Sequence, residues 1–173
     1  SRAVSNMSEE RKTPPHVDAL RENVGELRRF ARALVSPASG RTADALVQTA
    51  IARLSIPARA TDDPLERAFG EIVRLNRRRV RERGRGLDAP ESGTMGEDDR
   101  RDASISGRIA GMPLDEREAL LIVGLVGLGY EAAARALDLP SSSVVSRLMR
   151  ARARLDGATT GSGSRPGHLR VVK

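Results

Sequence analysis

Two small all-α modules joined by a linker are the fold the sequence predicts, and three observations carry that expectation. Apolar residues recur every three or four positions through most of the 173 residues, the period of an amphipathic helix. Aromatics are only 2% of the chain (Phe30, Phe69 and Tyr130, with no Trp), so any core is built from Leu, Val, Ile and Ala. Such a composition suits helical bundles better than a sandwich or barrel. A stretch rich in Gly, Pro and acids then divides the periodic sequence into two blocks.

Residues 1–16 are polar and read as a disordered lead-in. From Val17 a helical stripe begins: Val17, Leu20, Val24, Leu27, Ala31 and Leu34 share one face, and Ser36-Pro37 ends it. Thr42 or Asp44 can cap a second helix, whose stripe is Leu46, Val47, Ala50, Ile51 and Leu54. Asp63-Pro64 signals the start of a third helix. It runs to about residue 83 and is expected to bury Leu65, Phe69, Ile72, Val73, Asn76 and Val80. The first module therefore spans 17–83.

Residues 84–103 hold Gly84, Gly86, Pro90, Gly93 and Gly96 together with six acids: Asp88, Glu91, Glu97, Asp98, Asp99 and Asp102. This reads as a flexible acidic linker. The second module covers 104–157. A short helix carries Ile105 and Ile109, and Met112-Pro113 leads to a helix with Asp115 and Glu116 in its first turn, where the helix dipole favours acids. That helix is interrupted by Gly124, Gly127 and Gly129. A compact alanine-rich helix, Tyr130 to Leu137, is followed by Asp138-Leu139-Pro140. Ser141, Ser142 and Ser143 then offer caps for a last helix ending near Leu155. Residues 158–173 read as a disordered basic tail.

Charge points to a polyanionic partner. Lys plus Arg number 30 against 23 Asp plus Glu, and the only lysines are Lys12 and Lys173. Arginine presents a planar fork suited to phosphates and guanine edges. Seven arginines crowd between 74 and 85: Arg74, Arg77, Arg78, Arg79, Arg81, Arg83 and Arg85, with Glu82 the one acid among them. A solvated face normally mixes signs, so one this uniformly positive points to nucleic acid. Further on, a short helix, a tight turn and a longer helix have the rhythm of a helix-turn-helix. In the last helix Val144, Leu148, Ala151 and Leu155 share an inward face. Arg147, Arg150 and Arg154 share another, with Arg152 beside them.

Other classes lack their parts. There is no cysteine, and the two histidines, His16 and His168, lie near opposite ends in polar sequence. No phosphate-binding GxxxxGK[ST], no GxSxG and no HExxH appears. An enzyme is not expected, nor any cofactor or metal. The longest apolar run, residues 119–128, is too short to cross a bilayer, so no membrane association and a cytoplasmic home are expected.

These motifs carry a resemblance. The stretch MPLDEREALLIVGLVGLGYEAAARALDLPSSSVVSRLMRARARL resembles region 4 of the extracytoplasmic-function (ECF) sigma factors, above all in its P-x-x-x-R-E-A entry and its S-R-L-x-R-A-R-x-x-L recognition helix. Upstream, LRRFARAL, DALVQTAIARL and DPLERAFGEIVRLNRRRVRERGR are similar to region 2 of that family. The tail GHLRVVK is similar to alphaproteobacterial members of its general-stress group. The resemblance implies a transcription initiation factor with core RNA polymerase, promoter DNA and an anti-sigma factor as partners. Asp44, Leu46, Val47 and Gln48 would meet the β′ clamp helices. Arg74, Arg77, Arg78 and Arg81 would face −10 DNA. Region 4 would hold the β-flap and read the −35 element through Ser142, Ser143, Arg147, Arg150, Arg152 and Arg154. The chain departs from the family at Ala45 and Thr49, where acids are usual, at Val145, often basic, and at Ser142, often glycine. Those departures are also compatible with an alternative: a sigma-factor mimic that sequesters an anti-sigma factor and leaves promoter DNA alone.

Overall fold

A computed structural model describes residues 15–36, 40–55, 63–84 and 105–159. Among these residues all regular structure is helical, as the sequence predicts. The order is α1 (Pro15–Glu22), α2 (Val24–Val35), α3 (Gly40–Leu54), α4 (Pro64–Gly84), α5 (Ile105–Ala110), α6 (Leu114–Leu120), α7 (Tyr130–Leu137) and α8 (Ser141–Thr159). The expected disordered ends and most of the acidic linker lie outside the described residues. Among the described residues no helix is long and apolar enough to cross a membrane.

The N-terminal module closes around two rings. Phe30 of α2 and Phe69 of α4 meet edge to face with centroids 5.1 Å apart, and both are 1% exposed or less. Leu20, Leu27, Leu34, Val47, Ala50, Ile72 and Val73 fill the space around them. Each of these buried Leu, Val and Ile side chains contributes about 1.5–3 kcal/mol relative to exposure, and Ala50 less. With so few aromatics, this pair anchors the module, and the aliphatic periodicity does the rest.

Several local expectations are corrected. The first stripe is two helices, α1 and α2, because the chain leaves the helix at Asn23, whose side-chain amide donates to the Ala19 carbonyl at 2.8 Å. Asparagine competes for backbone groups in this way, which suits it to helix ends. Thr42 and Asp44 do not cap α3: the helix begins at Gly40 and Thr42 is buried inside it. Val80 is 42% exposed rather than core, since α4 by then has run past the body of the module. The three serines of α8 are not its cap either; the Pro140 carbonyl accepts from the amides of Ser143 and Val144.

The C-terminal module packs α6 against α8 and lays α7 across both α4 and α8. The expected interruption after α6 is a π-helical turn, Leu121–Leu125, in which the Val126 amide donates to the Leu121 carbonyl at 3.0 Å. Gly127 follows at φ +83°, a conformation that L side chains rarely adopt. The turn between α7 and α8 is closed by Asp138 at φ 57°, with the Leu139 amide donating to the Ala134 carbonyl. This is the left-handed helix ending, for which Asp is among the few tolerated non-glycine residues.

The two modules share one hydrophobic core, in which Leu34, Ile72, Ile122 and Leu137 belong to the same buried cluster. α2 touches α5, α6 and the π-helical turn, while α4 lies along α7.

Candidate nucleic-acid and partner interfaces

Of the four arginines expected to face DNA on α4, three are engaged within the fold. Arg77 wraps Glu118 with its Nε and Nη2, the shortest contact being 2.6 Å, and donates from Nη1 to the Leu137 carbonyl at 3.2 Å. Arg74 pairs with Glu71 at 3.1 Å, and Arg53 shares the same carboxylate at 2.8 Å. Arg78 pairs with Glu82 one turn on at 2.7 Å, and that carboxylate raises the Arg78 pKa. Arg81 is exposed and carries no ion pair among the described residues. Arg74 and Arg78 are more than half exposed, so their local pairs are weak and exchangeable. Arg77 is the exception, because its partner is 1% exposed.

On α3, Asp44 is 45% exposed and lies 3.3 Å from Arg28, and Gln48 is exposed. Leu46 and Val47 point inward and belong to the core, so α3 offers a partner its polar residues and the exposed Ala45 and Thr49. The inward pair was legible as the helix's own apolar stripe, which family resemblance overrode.

Most arginines of α8 are engaged by acids of a neighbouring helix. Arg154 meets Glu116 at 2.6 Å, Arg150 meets Glu116 at 3.3 Å and Asp115 at 3.9 Å, and Arg147 lies 3.8 Å from Asp115. Both acids belong to the first turn of α6, so three arginines of α8 bind its neighbour. Arg152 is exposed and pairs with none of the described residues. Ser142, Ser146 and Met149 are exposed beside it, Met149 at 67%, while Ser143 is half-buried. The outward face of α8 is thus polar and apolar with one unneutralised arginine.

Two charged residues of the P-x-x-x-R-E-A motif, to which the sequence assigned no site role, do most to fix this arrangement. Arg117 is buried, with Nη1 donating to the carbonyls of Leu34 and Ser36 and Nη2 donating to those of Met112 and Ala110. Burial lowers its pKa, with the charge of Glu118 opposing the shift. Its neighbour Glu118 is the partner of Arg77. The signal was present as two charges at the mouth of an apolar helix, where one stripe of the helix has to carry both.

Comparison with known proteins bears on the second module first. Residues 103–155 match the family model of sigma-70, region 4. The C-terminal module thus resembles region 4 of the sigma-70 factors. Solved structures with the same fold include the sigma factor RpoE of Bartonella quintana in complex with the anti-sigma factor NepR. That match has 22% identity and a TM-score of 0.62, covering 84% of this chain and 99% of that one. The anti-anti-sigma factor PhyR of the same organism, also complexed with NepR, matches with 18% identity and a TM-score of 0.56. The match covers 81% of this chain but 49% of PhyR, so this chain spans about half of that protein's length. CnrH in complex with the cytosolic domain of CnrY matches with 17% identity and a TM-score of 0.56, covering 86% and 89%. No curated protein matches. The resemblance to a sigma-factor region 4 is borne out by the family-model match, and the expected all-α fold is shared with solved sigma factors.

Proposed function

We propose that this chain is an ECF sigma factor that directs core RNA polymerase to specific promoters and is held inactive by an anti-sigma factor. The observation that carries the reading is the sigma-70 region 4 helix-turn-helix standing in one fold with the arginine-rich helix α4. In this reading region 4 takes the β-flap and the −35 element, with Ser142, Ser143, Arg147, Arg150, Arg152 and Arg154 on or beside the recognition helix. Asp44 and Gln48 face the β′ clamp helices in the cytoplasm. Arg74, Arg77, Arg78 and Arg81 meet −10 DNA. Each module contributes modest affinity, and the tether between them raises the effective concentration of the second contact.

One set of observations favours the mimic instead. Arg77, Arg147, Arg150 and Arg154 pair with three acids of α6, Asp115, Glu116 and Glu118, which lessens but does not cancel the positive field either surface shows to DNA. The two readings part in run-off transcription with core polymerase, done beside an anti-sigma pull-down on the same preparation. Promoter-directed transcripts from the parent chain support the sigma factor and end the mimic. Tight anti-sigma binding with no transcript from any anti-sigma-free preparation ends the sigma reading.

A further inference from the structure

α8 carries three faces. Val144, Leu148 and Ala151 form the first and are 2% exposed or less. Arg147, Arg150 and Arg154 form the second, held by Asp115 and Glu116 of α6. Ser142, Val145, Met149 and Arg152 recur at steps of three, four and three, so they share a third face of the helix. Ser142, Met149 and Arg152 are exposed there and Val145 is half-buried. Ser146 beside them spends its hydroxyl on its own helix, donating to the Ser142 carbonyl at 2.9 Å. The middle turn of this face therefore presents apolar surface: Met149, 67% exposed, with Val145 one turn before it.

A lone exposed apolar side chain is ordinary on a protein surface. Met149 differs in its setting. It stands on the second helix of a helix-turn-helix, and between Ser141 and Leu155 that helix has four arginines and no acid. Such a surface suits a polyanion that also carries isolated apolar points. An acidic peptide would satisfy the arginines but not the apolar turn. Duplex DNA satisfies both, because the major groove exposes one apolar group on its base edges, the C5 methyl of thymine. We infer that Met149, flanked by Val145, packs on a thymine methyl in the major groove and makes α8 prefer a T·A pair at that step. The inference rests on the sigma reading for placing DNA against α8. A phosphate contact by Arg152 would fix register and carry no sequence information, which leaves discrimination to the apolar turn. The unbranched, polarisable thioether can follow the methyl without a fixed pocket.

Replacing thymine by deoxyuridine removes that methyl and leaves every hydrogen-bonding group in place. Duplexes with a randomised −35 segment are enriched on the full-length chain bound to core RNA polymerase. Each thymine of the enriched sequence is then replaced by deoxyuridine in turn. The parent is expected to bind about fourfold more weakly at one or two positions, the worth of one buried methyl-sized group. Met149→Ala should bind the thymine and deoxyuridine duplexes alike at one of those positions, and Met149→Leu should keep most of the parent's ratio. A merely structural role for Met149 lowers both affinities together and leaves the ratio unmoved. A parent ratio of one at every position, or an enriched sequence without thymine, overturns the assignment. So does Met149→Ala with the parent's ratio; if that variant also assembles less well with core polymerase, the face meets protein instead. Failure of the sigma reading looks different: no sequence is enriched and the parent gives no run-off transcript, and the assignment then falls with it.

Discussion

Arg117 shows how one side chain can hold two helix ends at once. Four carbonyls, from Leu34, Ser36, Ala110 and Met112, converge on its guanidinium. Removing it leaves buried acceptors without donors, so Arg117→Ala is expected to cost about 3 kcal/mol or more in urea unfolding. Arg117→Lys should recover little of the loss, because a single ammonium cannot span four carbonyls. At the other extreme, Arg81 and Arg152 are exposed and unpaired among the described residues. If they meet phosphates, each replacement by Ala should lower the log–log salt slope of promoter binding by about 0.7–0.9. Arg154→Ala should change unfolding more than the salt slope, since Glu116 already neutralises it. Equal slopes for the parent and the Arg81 and Arg152 variants would remove those two from the DNA surface.

At the level of elements, the helix-turn-helix depends on a left-handed residue that is not glycine. Asp138 at φ 57° ends α7, and Pro140 bars continuation before α8 begins. A β-branched side chain in that conformation is strained by about 1–2 kcal/mol, whereas glycine adopts it freely. Asp138→Val should therefore lower the midpoint of thermal unfolding, and Asp138→Gly should leave it nearly unchanged. A parent-like midpoint for the valine variant would mean that the turn adapts and does not set the angle between α7 and α8. The pairing of α6 acids with α8 arginines belongs to this scale too. It joins the two helices by charge as well as by the apolar row of Val144, Leu148 and Ala151.

For the whole molecule, the question is whether the modules behave as one body. Cleavage by a protease within 84–103, where the sequence is rich in Gly and acids, is expected to give two helical fragments. The shared core and the Arg77–Glu118 and Arg117 contacts should hold those fragments together through size-exclusion chromatography. They should separate more readily once Gly70→Ala is introduced, because a Cβ there would fall 2.6 Å from the Ala136 carbonyl oxygen of α7. Fragments of the parent that elute apart would mean that the tether, rather than the interface, keeps the modules side by side.

Much of this was legible in sequence because helical periodicity is local, although the caps expected for α3 and α8 were not borne out. The all-α class, the boundaries of α4, α7 and α8 within a few residues, and the region 4 resemblance all follow from spacing and short motifs. The break at Asn23 and the exposure of Val80 were not legible, since a period of 3.6 marks a face without saying where its cover ends. The candidate sites divide in the same way. That arginines gather on α4 and α8 is a property of the chain. Arg74 and Arg78 pair with acids three and four positions away on their own helix, but the partners of Arg77, Arg150 and Arg154 lie 34 to 41 positions away and are brought near only by packing. The apparent motif residues Arg117 and Glu118 are read in sequence as the entry to a helix. Only the tertiary structure makes them cross-module contacts, because a charge buried in a low-dielectric interior must find its partner wherever the fold places one.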